Sequence, residues 1–215
     1  MYLPAHFEEH RPEVLHRLIE RHPFGLLVTP GEGGTAVANS IPFILDAGEA
    51  GGLGTLRAHV ARANPVWRET AREAPALVVF QGEQGYVSPG WYPSKQQHGK
   101  VVPTWNYVIV QARGALRVRD DRDWLHRFVS RLTERHEATL PAPWAVTDAP
   151  ADYLETMLGT IVGIEIKLTA LVGKWKLSQN RSAADRAGVV EGLGAIAGDT
   201  GRGLARRVAD PADAG

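Results

Sequence analysis

The stretch TWNYVIVQARGALRV, residues 104 to 118, constrains the fold most, because its apolar residues fall on both faces of an extended chain. A strand wetted on one side alternates apolar and polar residues, so one that is apolar on both belongs inside a barrel or sandwich. ALVVFQGE (76–83) has the same character. FGLLVT (24–29) and TAVANSIPFILD (35–46), separated by the turn residues PGEGG, read as a hairpin. GTLRAHVA (54–61) alternates Leu56, Ala58 and Val60 against Arg57 and His59, and the first half of IVGIEIKLTALVGKWKLSQNR (161–181) has strand composition. Helices are expected only between these strands. Residues 8–22 carry Val14, Leu15, Leu18 and Ile19 at helical spacing and close at His22-Pro23. The segment 64–73 starts from an Asn64 cap and Pro65. The helix over 121–136 puts Trp124, Leu125, Phe128, Val129 and Leu132 on one stripe, and 152–158 and 182–196 complete the set. Strands outnumber helices, so the class is α+β with an antiparallel barrel or curled sheet at its centre.

The chain has 215 residues, 44% of them hydrophobic, enough for one full core. Beyond Gly198 it is small and polar, with little to bury, so a frayed tail is expected. Lys plus Arg and Asp plus Glu both number 24, which removes the charge excess that phosphate-backbone binders use. Cysteine is absent, no apolar run has the length of a membrane span, and the N-terminal residues are charged throughout where a signal peptide would be apolar, so a cytoplasmic protein is expected.

Eight histidines raise the question of a metal, but the H-E-x-x-H pattern is missing, the cluster His6, His10, His16 and His22 lies on or beside the first helix, and no metal site is expected. The G-x-S-x-G, G-x-G-x-x-G and P-loop patterns are missing. Three stretches combine groups for anions with amides or aromatic faces. LRAHVARANP (56–65) places Arg57, His59 and Arg62 where a strand enters a helix, whose orphan N–H groups attract phosphate. The segment 86–110 offers Trp91, Tyr92, Lys95, Trp105, Asn106 and Tyr107, able to cover a flat ring and bond its edge. GKWKLSQNR (173–181) offers Lys174, Trp175, Lys176, Ser178, Gln179 and Arg181. Singly, each also reads as a solvated strand edge, core and dimer packing, or a capped turn. Together they describe a pocket for an aromatic ring bearing a phosphate.

The opening MYLP, then LRAHVARANP, YVSPGWYPSK, VPTWNY and KLSQNRSAADRAGV, carry a resemblance to the PaiB family that runs over nearly all of residues 1 to 193 in the family's order. That family is described as FMN-binding negative transcriptional regulators, related to flavin-binding split barrels of the pyridoxamine-phosphate oxidase type. The resemblance implies a domain over 1–193 with a flexible tail at 194–215. It also implies a homodimer of six-stranded antiparallel split β-barrels, with FMN bound between the subunits. It assigns Arg57, Ala58, His59 and Arg62 to the flavin phosphate, and Asn39, Ser40, Ile41 and Pro42 to the ribityl chain and ring. The loop with Trp91 and Lys95 would border the isoalloxazine, beside a strand carrying Trp105 and Asn106 toward its edge. Lys176, Ser178, Gln179 and Arg181 would come from the partner subunit. The sequence departs from the oxidases in having ANSIPFIL where their basic strand R-x-V-L-L-K stands, so their substrate chemistry is not expected. A regulatory protein, acting on promoter DNA or through another regulator, is the first reading. A flavin-dependent oxidoreductase acting on a small molecule is the second. Haem binding or degradation comes last, because no histidine stands out.

Overall fold

The computed structural model describes residues 1–48, 52–69, 74–196 and 198–211. Its strands are β1 (Glu8–Glu9), β2 (Phe24–Pro30), β3 (Ala36–Pro42), β4 (Ile44–Asp46), β5 (Thr55–Ala61), β6 (Ala74–Val87), β7 (Thr104–Arg119) and β8 (Ile161–Lys176). Its α-helices are α1 (Pro12–Arg21), α2 (Val66–Glu69), α3 (Ser94–His98), α4 (Arg122–Glu137), α5 (Ala151–Leu158), α6 (Ala183–Ala195) and α7 (Asp199–Ala209). The strands order as β3-β2-β6-β7-β8-β5-β4, with β1 paired to β8. The ladders with a defined register, including the β2–β3 hairpin and the β5–β8 pair, are antiparallel.

Among the described residues the sheet thus has eight strands where a six-stranded barrel is expected, and the excess has two local causes. One is the two-residue β1 beside Gly173 and Lys174. The other is an interruption at Phe43. Pro42, which has no N–H to give a ladder, ends β3, and the Phe43 N–H donates to the Pro23 carbonyl at 2.9 Å. The chain then resumes as β4 against β5. β3 and β4, the two ends of the strand order, are therefore neighbours in sequence, though no ladder joins them.

The chain divides into two compact units, and β6, β7 and β8 each contribute a segment to both. The unit of Pro23–Val79 and Ala112–Ala170 is built on the β2–β3 hairpin, β4 and β5, with α4 and α5. Its core holds Leu27, Phe43, Leu56, Val78, Leu116 and Ile164, all essentially buried. Helix α4 starts where its sequence says it should, the Asp121 carboxylate accepting the Trp124 N–H at 2.7 Å. Leu125 and Phe128 of its stripe are buried, while Trp124, Val129 and Leu132 are half-buried. Asn64 accepts the Val66 N–H at 3.0 Å to open α2, and residues 70–73 of the helix expected there lie outside the described residues.

The unit of Met1–His22, Phe80–Gln111 and Leu171–Gly215 gathers α1, α3, α6 and α7. Leu15, Leu18 and Ile19 of α1 are buried as their spacing requires. β8 stays extended to Lys176, well past the half expected from composition. The frayed tail expected beyond Gly198 is instead helical over α7. Leu204 and Val208 are spaced four apart and buried, and Arg207 donates to Glu83 at 2.7 Å. Two apolar side chains at about 1.5–3 kcal/mol each suffice to hold three turns. The composition conceals this because the two lie among glycines and arginines. Among the described residues, no helix is long and apolar enough to cross a membrane.

Candidate functional site

In the first unit, β5 presents Leu56, Ala58 and Val60 to the core and turns Arg57 and His59 the other way. Both are engaged within the fold. Arg57 is ion-paired to Asp46 and donates to Glu165 at 3.0 Å. Glu165 also accepts from Arg119 at 2.7 Å, and Asp46 from Arg131. The result is a chain of alternating charges, Arg131–Asp46–Arg57–Glu165–Arg119. Burial opposes the charge on Glu165, but the hydrogen bonds from Arg119 and Arg57 outweigh it and hold the carboxyl below its usual range. His59 sits edge-on to Phe128 with ring centroids 5.7 Å apart. Its Nδ1 is buried with no partner among the described residues, and burial pulls its pKa down.

Arg62 is engaged as fully. It donates to the carbonyls of Gly159 at 2.8 Å and Ile161 at 3.0 Å and grips Asp120 with both terminal nitrogens. That grip, with burial opposing it, lowers the Asp120 carboxyl. Arg62 therefore braces the turn between α5 and β8. Ala58 is fully buried. On β3, the Asn39 Oδ1 accepts from Asn64 at 2.8 Å, while its Nδ2 is buried with no acceptor among the described residues. Ser40 is exposed, opposite Leu26 in the ladder, and Ile41 and Pro42 stand opposite Gly25 and Phe24.

In the second unit, Asn106 and Ser178 are both buried and bond reciprocally. The Asn106 amide donates to Ser178 Oγ at 2.9 Å, and that hydroxyl is 3.3 Å from Asn106 Oδ1. Ser178 has φ of 64°, a left-handed conformation that is costly for a residue with a Cβ. Gln179 closes the same turn, its Oε1 accepting the Leu177 N–H at 2.7 Å and its Nε2 donating to the Trp175 carbonyl at 2.6 Å. These two side chains shape a turn whose ends are Lys176 and Arg181.

Lys176 Nζ donates to Thr104 Oγ1 and the Trp105 carbonyl. Burial first, and then the charges of Lys174 and Arg181, push its pKa down. The Arg181 guanidinium lies over the Tyr92 ring, 4.8 Å from its centroid. Trp105 is 52% exposed, and the adjacent Tyr107 ring faces Lys174 Nζ at 5.4 Å. Trp91 packs against α6. Its ring is laid on Gly192 and its carbonyl on Gly188, where a Cβ at either glycine would collide with it. The Ser94 N–H and hydroxyl both donate to Asp185, fixing the loop to α6, and Lys95 is exposed on α3.

The residues that sequence reasoning missed are the acids that neutralise the arginines, Asp46, Asp120 and Glu165, and the partner of Asn39, Asn64.

A family model with the description "Putative FMN-binding domain" matches residues 1–170. A protein of Aspergillus fumigatus is 34% identical over 257 residues, covering 99% of this chain and 98% of its own length. The protease synthase and sporulation protein PAI 2 of Bacillus subtilis is 31% identical over 193 residues, covering 90% of this chain and 89% of its own. Among solved structures, the FAD and haem binding protein of Mycobacterium smegmatis aligns with a TM-score of 0.58 at 19% identity, covering 84% of this chain and 78% of that one. A conserved hypothetical protein of Mycobacterium tuberculosis aligns with a TM-score of 0.60 at 12% identity, covering 93% and 99%. At these identities the two structures establish a shared fold.

Proposed function

The chain belongs to the PaiB family of FMN-binding domains, and from that premise we propose that it is a homodimeric flavoprotein with a regulatory role, in which FMN serves to sense or signal rather than to turn over a substrate. The name of its Bacillus relative, a protease synthase and sporulation protein, agrees with such a role. The residues suit the cofactor. The Asn39 amide is a buried donor in want of an acceptor, as a flavin carbonyl or ribityl oxygen would be. The second unit, taken by itself, offers the aromatic faces of Trp105 and Tyr107 and the cations Lys176 and Arg181. When bound, FMN supplies a ring that accepts or releases electrons.

One observation carries the regulatory reading. General acid–base work needs a titratable group with a free proton position beside the reacting ring. Among the described residues, the carboxylates beside the candidate residues are engaged: Asp46, Asp120 and Glu165 by arginines, Asp185 by Ser94, and Glu8 faces His10. His59 is buried against Phe128.

The homodimer is supported by an apolar face on the first unit. Phe24 is 66% and Leu26 39% exposed, and the ladders set Val28, Ala38, Leu77 and Val79 on the same side. A sheet face of this kind is normally covered. Sedimentation should give a dimer at micromolar concentration, and Leu26→Lys should give a monomer. The decisive measurement is the absorption spectrum of the purified protein, followed by NAD(P)H oxidation with FMN in excess. A flavin spectrum with negligible turnover supports the proposal. Sustained multiple turnover overturns the regulatory role in favour of an oxidoreductase.

A further inference from the structure

The two groups of candidate cations differ in how far they are paired with acids. In the first, Arg57, Arg119 and Arg131 share Asp46 and Glu165, and Arg62 is bound to Asp120 and two carbonyls. A phosphate placed there would have to displace carboxylates that are already hydrogen-bonded. In the second unit, Lys174, Lys176 and Arg181 have no ion-pair partner within 4 Å among the described residues. Their contacts are the carbonyls of Tyr2 and Trp105, the Thr104 hydroxyl, and the rings of Tyr2, Tyr92 and Tyr107.

Two acids approach this group, and neither neutralises it. Glu8 stands opposite Lys174 in the β1–β8 ladder, but its carboxylate is turned to His10 Nδ1 at 3.5 Å. Asp185 is within electrostatic reach of Arg181, but it is nearly buried and both its oxygens are bonded to Ser94. Three cations close enough to repel one another, partly withdrawn from water and without counter-charge, cost free energy that an anionic ligand returns. The turn that carries two of them is also held in an unfavourable backbone conformation at Ser178. Strain of this sort persists where the surrounding structure fixes a functional geometry.

We propose that the phosphate of the flavin is held by Lys176 and Arg181, with Lys174 behind them, and that Arg57 and Arg62 are structural braces. The inference rests on the FMN reading above and reassigns the phosphate contact within it. It identifies the ligand chemistry at the end of β8 as a phosphate monoester and gives Asn106 and Ser178 the role of positioning residues. Their reciprocal hydrogen bond fixes the turn from which the two cations project.

The test compares FMN with riboflavin, which lacks the phosphate, by flavin-fluorescence titration of the full chain. The variants are Lys176→Gln, Arg181→Gln, Arg57→Gln and Arg62→Gln. Lys176→Gln and Arg181→Gln should each reduce the preference for FMN over riboflavin at least tenfold while leaving the riboflavin Kd within about twofold, since one charge-assisted hydrogen bond is worth that much. Arg57→Gln and Arg62→Gln should lower the thermal midpoint and leave the preference within about twofold. Thermal melts in each flavin check that every titrated variant is folded. A preference unmoved by Lys176→Gln and Arg181→Gln overturns the assignment while FMN binding stands, as does a preference lost in folded Arg57→Gln or Arg62→Gln. If the wild-type protein binds neither flavin, the cofactor reading fails as well. Inorganic phosphate provides a check without the ring: it should compete with FMN in the wild type and cease to compete in Arg181→Gln.

Discussion

Arg57 on β5 and Arg181 after β8 are the same side chain in two different electrical situations. The first lies between two carboxylates, in a row of five alternating charges. The second is spread over a tyrosine ring, near Lys176, and the acid within its electrostatic reach, Asp185, is bonded through both oxygens to Ser94. A guanidinium between acids spends its hydrogen bonds on the fold, whereas one whose nearest acid is bonded elsewhere is poised for something the chain itself does not provide. What decides between brace and binding group is the local acid count, and that count is made by strands distant in sequence.

The contrast can be broken most forcefully at Glu165. Glu165→Gln leaves Arg57 and Arg119 sharing a neutral amide in a half-buried position, and we expect a loss of about 3 kcal/mol, read as a shift of the urea midpoint. An unchanged midpoint would mean that the row of charges contributes nothing to the fold. Arg62→Ala removes bonds to two carbonyls and to a half-exposed aspartate, and should cost about 1–2 kcal/mol by the same measurement. At the other region the sign reverses. Lys176→Met relieves repulsion from Lys174 and Arg181 and should stabilise the flavin-free protein by about 0.5 kcal/mol, while FMN should then raise the thermal midpoint less than it does in wild type. Destabilisation there would place Lys176 among the braces.

The smallest expected effect is a slope. His59 has a folded pKa held below its unfolded value by burial, so between that folded value and about 6.5 the unfolded chain binds the extra proton. Its contribution is complete above about 6.5 and is lost as pH falls toward the folded pKa. His22, lowered mainly by burial, acts in the same sense. The thermal midpoint should therefore fall on acidification from pH 7 to 5, and His59→Phe should flatten part of that fall. An identical slope in the variant would remove His59 from the account.

The sequence made most strands and helices legible because their signals are local. The alternation in 54–61, the Asp121 cap and the α1 stripe each involve a few neighbouring residues, and each appears as expected. The shortfall is where an outcome depends on partners far along the chain. The neutralisation of Arg57 requires Glu165, 108 positions away, and that of Arg62 requires Asp120, 58 positions away. No spacing rule couples such pairs. Trp91 reads equally well as a binding aromatic or a packing one until α6 is placed against it. Helix α7 was missed for the opposite reason, since its two buried anchors are too few to outweigh a polar composition. For the second group of cations, the residue types and their close spacing were visible, but their lack of acids was not.

The register of β5 has a consequence for the order in which the chain takes shape. Its ladder with β4 joins residues close in sequence, as does the β2–β3 hairpin, and contacts of this range form within microseconds. Its other ladder pairs Thr55 with Lys167 and Ala61 with Ile161, so on a ribosome β5 is complete roughly 100 residues before its partner is made. Through that interval one edge of β5 has no ladder partner and its apolar Leu56 and Val60 lack their final cover. The Arg57–Asp46 pair, available as soon as the β4–β5 ladder forms, keeps charged groups on that waiting strand, a feature that discourages edge-to-edge association.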